Sequence, residues 1–81
     1  MAIVYLPHAL TAYTGGQSEI AIDAPRVLEL RAALDRRFPG IQAELEQMAV
    51  AIDGQIHNEA DYERVEQSTE VHFVPRVAGG A

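Results

Sequence analysis

Only one stretch of this chain carries a sustained helical period, and it decides what the rest can be. Val27, Leu30, Leu34 and Phe38 fall three and four residues apart, a single apolar stripe. Asp23 or Ala24 is placed to cap it, Pro25 suits a first turn where a missing N–H costs nothing, and Pro39-Gly40 stops it. Arg36 and Arg37 fall at the negative end of the helix dipole. The remaining apolar residues sit in short runs, most of them alternating. One helix with one face to bury, among strands, places the chain in the α+β class.

The strands follow from alternation and from turn residues. Ala2–Leu6 ends at Pro7, with Ala2, Val4 and Leu6 expected inward and Ile3 and Tyr5 outward. Ser18–Asp23 puts Ile20 and Ile22 inward, and Thr14-Gly15-Gly16-Gln17 supplies the turn chemistry of a hairpin. The connection from His8 to Gly16 exceeds a tight turn, so Leu10 and Tyr13 are expected to fold over the core edge. Ile41 to Gln47 suits one or two helical turns. Met48–Asp53 is a third strand, Asp53-Gly54 a two-residue turn, and Gln55–His57 a short return. Asn58–Ser68 reads as a polar loop anchored by Tyr62 and Val65. In the last strand, Thr69–Val74, Val71 and Phe73 face inward, and Pro75, lacking a donor, ends the ladder. Residues 1–74 form one domain on this reading and 75–81 a tail.

At 81 residues the domain is small, so its stability should be modest. With 48% apolar residues against 22% charged, the chain is too hydrophobic for disorder. No apolar run approaches the roughly 18 residues of a membrane span, and Met-Ala-Ile-Val-Tyr lacks the marks of a signal peptide, so the cytoplasm is the expected compartment. The absence of cysteine excludes disulfides, thiolate metal sites and sulfur borne on a side chain. The net charge is −6, and the six basic residues are all arginine, which argues against nucleic acid. It suits either a partner with a basic surface or solubility alone. No catalytic or metal-ligating set is expected. His8, His57 and His72 lack ligand spacing, Glu44/Glu46 and Asp61/Glu63 read as solvated charge, and Ser18 and Ser68 have no activating partner.

The C-terminal run decides between readings. By spacing alone, Arg76, Val77 and Ala78 before Gly79-Gly80 form a frayed end. However, Glu70-Val71, Phe73-Val74-Pro75, Val77 and Gly79-Gly80 resemble the C terminus of the ubiquitin-like sulfur carriers, the family of MoaD, ThiS and CysO. Leu6-Pro7 and Tyr13-Thr14-Gly15-Gly16-Gln17 resemble the first hairpin of its CysO-like branch. The resemblance implies a β-grasp, ubiquitin-like fold, a mixed sheet with one main helix across one face and the last strand parallel to the first.

It also implies a chemistry. The carboxylate of Gly80, with Gly79 before it, is adenylated with ATP on a ubiquitin-activating-like adenylyltransferase, converted to a thiocarboxylate and offered to a sulfur-accepting synthase. Two residues without side chains suit a narrow slot leading to the α-phosphate. The carrier holds no cofactor, since ATP belongs to the activator, and it acts as a co-substrate rather than an enzyme. Ala81 departs from the family, whose members mostly end at the glycine pair. Some relatives lose extra C-terminal residues to a JAMM-type zinc metalloprotease, and Ala81 is expected to be trimmed likewise. Ser68-Thr69 stands where the family usually has a Gly-Asp turn. Arg76 stands for a frequent second proline and could meet an acidic site on the activator. Docking is expected on the sheet face away from the helix, through Ile3, Tyr5 and Val74 beside His72.

Two other functions remain open on the sequence: a modifier joined to lysine amines, and a non-covalent β-grasp binding module. The acceptor is open as well, among cysteine, molybdopterin, thiamin and secondary-metabolite pathways.

Overall fold

Five strands form one mixed sheet in a computed structural model that describes residues 1–76; Gly79, Gly80 and Ala81 lie outside the described residues. The strands are β1 (Ala2–Tyr5), β2 (Glu19–Ile22), β3 (Met48–Ile52), β4 (Gln55–His57) and β5 (Glu70–Pro75), in spatial order β2-β1-β5-β3-β4. The central pair, β1 and β5, is parallel, as expected, and the other three pairings are antiparallel. Helix α1 spans Val27–Arg37 and α2 spans Ile41–Leu45, with a 3-10 turn at His8–Leu10.

Alternation fills one face of the sheet. Val4, Ile20, Ile22, Val50, Val71 and Phe73 are buried there with Val27, Leu30 and Leu34 of α1 and Ile41 and Leu45 of α2 in one core cluster. Leu6 and Leu10 close its edge. Burial of this kind contributes roughly 1.5–3 kcal/mol per large aliphatic side chain. Gly40, at φ +95, makes the sharp reversal between the helices that a residue with Cβ would strain.

The start of α1 differs from the sequence expectation. Arg26 is the N-cap, in extended conformation, and Pro25 lies outside the helix; neither Asp23 nor Ala24 caps it. The cause is the segment after β4. The Val27 N–H donates to the Glu63 carbonyl at 3.1 Å and the Leu28 N–H to the Asp61 carbonyl at 3.0 Å. Two of the orphan donors of the first turn are thus satisfied by main chain, so no side-chain cap is required. Val65 in turn donates to the Pro25 carbonyl at 2.9 Å.

Tyr62 does not anchor that segment: it is 75% exposed, and Ala60 and Val65 are the buried residues. It lies between the two residues whose carbonyls serve the helix, and its ring is turned outward, 5.9 Å from the Arg26 guanidinium. Tyr13 also stays at the surface, because its phenol donates to Glu44 at 3.2 Å and its ring edge lies beside Gly40. Of the expected pair, only Leu10 is buried.

Turn geometry matches turn chemistry. Asp53 and Gly54 both have positive φ, +47 and +89, the conformation of a type I′ hairpin. Asp53 also bolts the hairpin to β5, since its N–H donates to the Glu70 carbonyl and its carboxylate accepts from the Glu70 N–H, each at 3.0 Å. Ser68, at φ +67, occupies the left-handed region where the family usually has glycine. The ladder runs one residue further than expected: Pro75 still lies opposite Met48, at the strand end where a missing N–H is tolerated.

Candidate functional site

Both helices pack on one face of the sheet; the other face is where the sequence placed a docking patch. Tyr5 and His72 are directly opposite in the parallel register of β1 and β5. Their rings stack with centroids 4.4 Å apart and planes 11° from parallel. Ile3 and Val74, one alternation away on the same strands, are half-buried beside them. The structure therefore brings four of the five expected docking residues together.

The patch is wider than expected. Ala49 lies opposite Val74 and Ala51 opposite His72, so the small side chains of β3 leave the larger ones of β5 standing proud. Beyond them Ile56, opposite Ala51 on β4, is 68% exposed. The sequence signal for Ile56 was the Asp53-Gly54 turn, which fixes the β3–β4 register and hence the face of each residue. Ala21, opposite Ile3, extends the face toward β2.

Carboxylates rim this surface. Glu19 pairs with Tyr5 across β1 and β2, and a Glu70 oxygen lies 3.6 Å from His72 Nε2. Partial burial, then repulsion from Glu19 and Glu70, raises the Tyr5 phenol above its ordinary value near 10. Tyr5 is therefore a neutral hydrogen-bonding group in an apolar field bordered by negative charge. Such a face suits a partner that is apolar at the centre and basic at the edge.

Arg76 is not part of this group. Its guanidinium donates to the Asn58 carbonyl at 2.8 Å and lines a cleft on the helix side, with Leu28 and Arg31 of α1. Arg31 was not singled out by sequence, because it interrupts the apolar stripe with a charge. It is buried, and it is ion-paired with Asp61.

A sequence model of the ThiS family matches residues 4–80. The chain belongs to the ThiS family. Its structure agrees with a chain of the BexX/CysO complex of Amycolatopsis orientalis at a TM-score of 0.86 and 24% identity, covering 99% of this chain and all of that one. It agrees with CysO of Mycobacterium tuberculosis, described as an antigen, at 0.85 and 16%, covering 95% of this chain and all of that one. For the small archaeal modifier protein 1 of Methanosarcina acetivorans the values are 0.79 and 19%, covering 98% of this chain and 95% of that one. No curated protein matches the chain by sequence. The resemblance read from the C-terminal motifs and the β-grasp fold it implied both hold for this ThiS-family chain.

Proposed function

We propose that this ThiS-family chain is a sulfur carrier whose working end is the carboxylate of Gly80. The observation that carries the reading is the reach of the family match, which runs through the Gly79-Gly80 pair and stops one residue short of Ala81. Removal of Ala81 by a metalloprotease of JAMM type leaves the glycine carboxylate terminal. That carboxylate oxygen attacks the α-phosphate of ATP on an adenylating partner, displacing pyrophosphate and forming an acyl adenylate. A hydrosulfide donor then attacks the acyl carbon and AMP leaves, so the product is a thiocarboxylate. A sulfur-accepting synthase takes the sulfur.

Neither step asks a base or metal of the carrier. What the carrier supplies is a docking surface, and the Tyr5–His72 stack with Ile3, Val74 and Ile56 is suited to that work. An apolar patch on an acidic protein marks a contact site. The structural likeness to a chain of a CysO complex supports a partner of this kind.

A second reading, a modifier joined to target lysines, draws on the likeness to the small archaeal modifier protein 1. This chain has no lysine, so it could not be extended through side-chain amines of its own. Intact mass separates the readings. The chain ending at Gly80, incubated with the host's activating enzyme, ATP and sulfide, should gain the mass of sulfur less that of oxygen, and the chain ending at Ala81 should not. Unchanged mass on both, with isopeptide-linked conjugates in host lysate, would replace the carrier with the modifier.

A further inference from the structure

A cleft on the helix side lies clear of the docking face and is more highly charged than a second cavity of similar volume, lined by Pro25, Arg26, Arg64 and Glu66. It has a volume of about 560 Å³ and lies between α1, the end of α2, the segment after β4 and the root of the tail. Its charges do not balance. Glu46, Glu59, Asp61 and Glu63 face Arg31 and Arg76 across it. Asp61 is paired with Arg31, and Arg76 donates to the Asn58 carbonyl. Glu63 has no arginine partner among the described residues, and its Oε2 lies 4.0 Å from His57 Nδ1. Glu46, Glu59 and Glu63 thus leave the cleft negative, next to two exposed apolar surfaces, Leu28 and the Tyr62 ring.

A second observation is independent of the carboxylates. Arg31 is only 6% exposed and lines the cleft, and among the described residues its Nε has no acceptor. Nε is itself enclosed, so an acceptor reaches it only as the Arg31 side chain shifts on docking, and a buried donor left unanswered gains from that acceptor. A lone cation would satisfy the carboxylates and leave Nε as it is; an anion would do the reverse. A basic residue of a polypeptide carries both groups, a charged side chain and a main-chain carbonyl, on an apolar stem that can lie along Tyr62.

Position suggests the partner. Arg76 lines the cleft and is the last of the described residues, a few positions before Gly79-Gly80, so a protein that binds the glycine end comes within a few residues of this rim. We propose that the cleft is a second docking point that receives an arginine or lysine side chain, with its carbonyl, from the protein that activates the tail. The inference rests on the carrier reading. It divides recognition between an apolar sheet face and an acidic socket on the far side of β5.

Binding of the host's activating enzyme, measured by calorimetry without ATP, tests it. Replacing Glu59 and Glu63 together by Gln should weaken binding roughly five- to thirty-fold and flatten its dependence on salt. Tyr62→Ala, at an exposed ring, should weaken it several-fold. Replacing Asp23 and Glu66 by Asn and Gln removes the same charge outside the cleft and should change affinity less than two-fold. Equal losses in the cleft pair and the control pair, or none in either, overturn the socket while leaving the carrier intact. No binding by the unaltered chain overturns the carrier reading and the socket with it.

Discussion

Arg31 and Asp61 should respond unequally to substitution, although they form one ion pair. The Arg31 side chain is 8% exposed and that of Asp61 is 50% exposed. Burial, reinforced by Arg76 and opposed by Glu46, lowers the Arg31 guanidinium below its ordinary pKa, so the pair holds a cation in a poor solvent for it. Breaking a fully buried pair from one side costs about 3–5 kcal/mol, because the remaining charge is uncompensated. Here half of Asp61 is in water, which discounts the pair, and Asp61→Ala should cost about 1–2 kcal/mol. Arg31→Met leaves behind a carboxylate that water can solvate. It also removes the unanswered Nε, a defect worth about 1–3 kcal/mol, and supplies an unbranched side chain to the stripe of α1. Its stability should stay within about 1 kcal/mol of the parent, and the cost of Asp61→Ala should largely vanish in its background. Urea unfolding followed by far-UV circular dichroism gives these differences, and a loss of 1 kcal/mol should appear as a fall of about 4–8 °C in Tm. An Arg31→Met variant less stable than Asp61→Ala, or an undiminished Asp61→Ala cost without Arg31, would refute the reasoning.

Three further outcomes can be checked on the same protein. Gly54→Ala, at φ +89 in open space, should lose about 1 kcal/mol from backbone strain alone, whereas Ser68→Gly, which relieves φ +67, should gain up to about 1 kcal/mol in urea unfolding. Tyr5→Asp with Val74→Asp should abolish binding to the activating enzyme in calorimetry while the melting curve stays cooperative, because both side chains lie on the face opposite the core. Stability should fall as pH rises above about 10. Tyr5 is raised by burial and by Glu19 and Glu70, and Tyr13 by its hydrogen bond to Glu44, so the unfolded chain loses these protons first and ionisation favours it; unfolding free energy measured against pH reads this directly.

What the sequence disclosed was set by how local each cause is. Alternation in β1, β2 and β5 and the stripe of α1 are properties of neighbouring residues, and they placed Val4, Ile22, Leu34 and Phe73 in the core correctly. The Tyr5–His72 contact was legible only once the parallel pairing of first and last strands was supplied by the family resemblance. Errors arose where a distant main chain took over a local role. The cap of α1 comes from the carbonyls of Asp61 and Glu63, which no nearby sequence announces. The same contact leaves Tyr62 outside although an aromatic in a polar loop suggests an anchor. Arg31 went unnoticed because a charge interrupting an apolar stripe reads as exposed, and the partner that lets it be buried is thirty positions away.

Strand β5 bonds to β1 on one side and to β3 on the other, so among the described residues it is the only strand connecting the two hairpins. That gives the molecule a form of self-inspection. Contacts joining such widely separated residues form slowly and late. Until they form, Tyr5 and His72 are not adjacent, and the two halves of the docking surface belong to separate pieces of chain. A carrier built in this way cannot offer a finished recognition surface from a half-made fold. On the proposed function, an activator that reads that surface before committing ATP would spend it only on chains whose folding is complete.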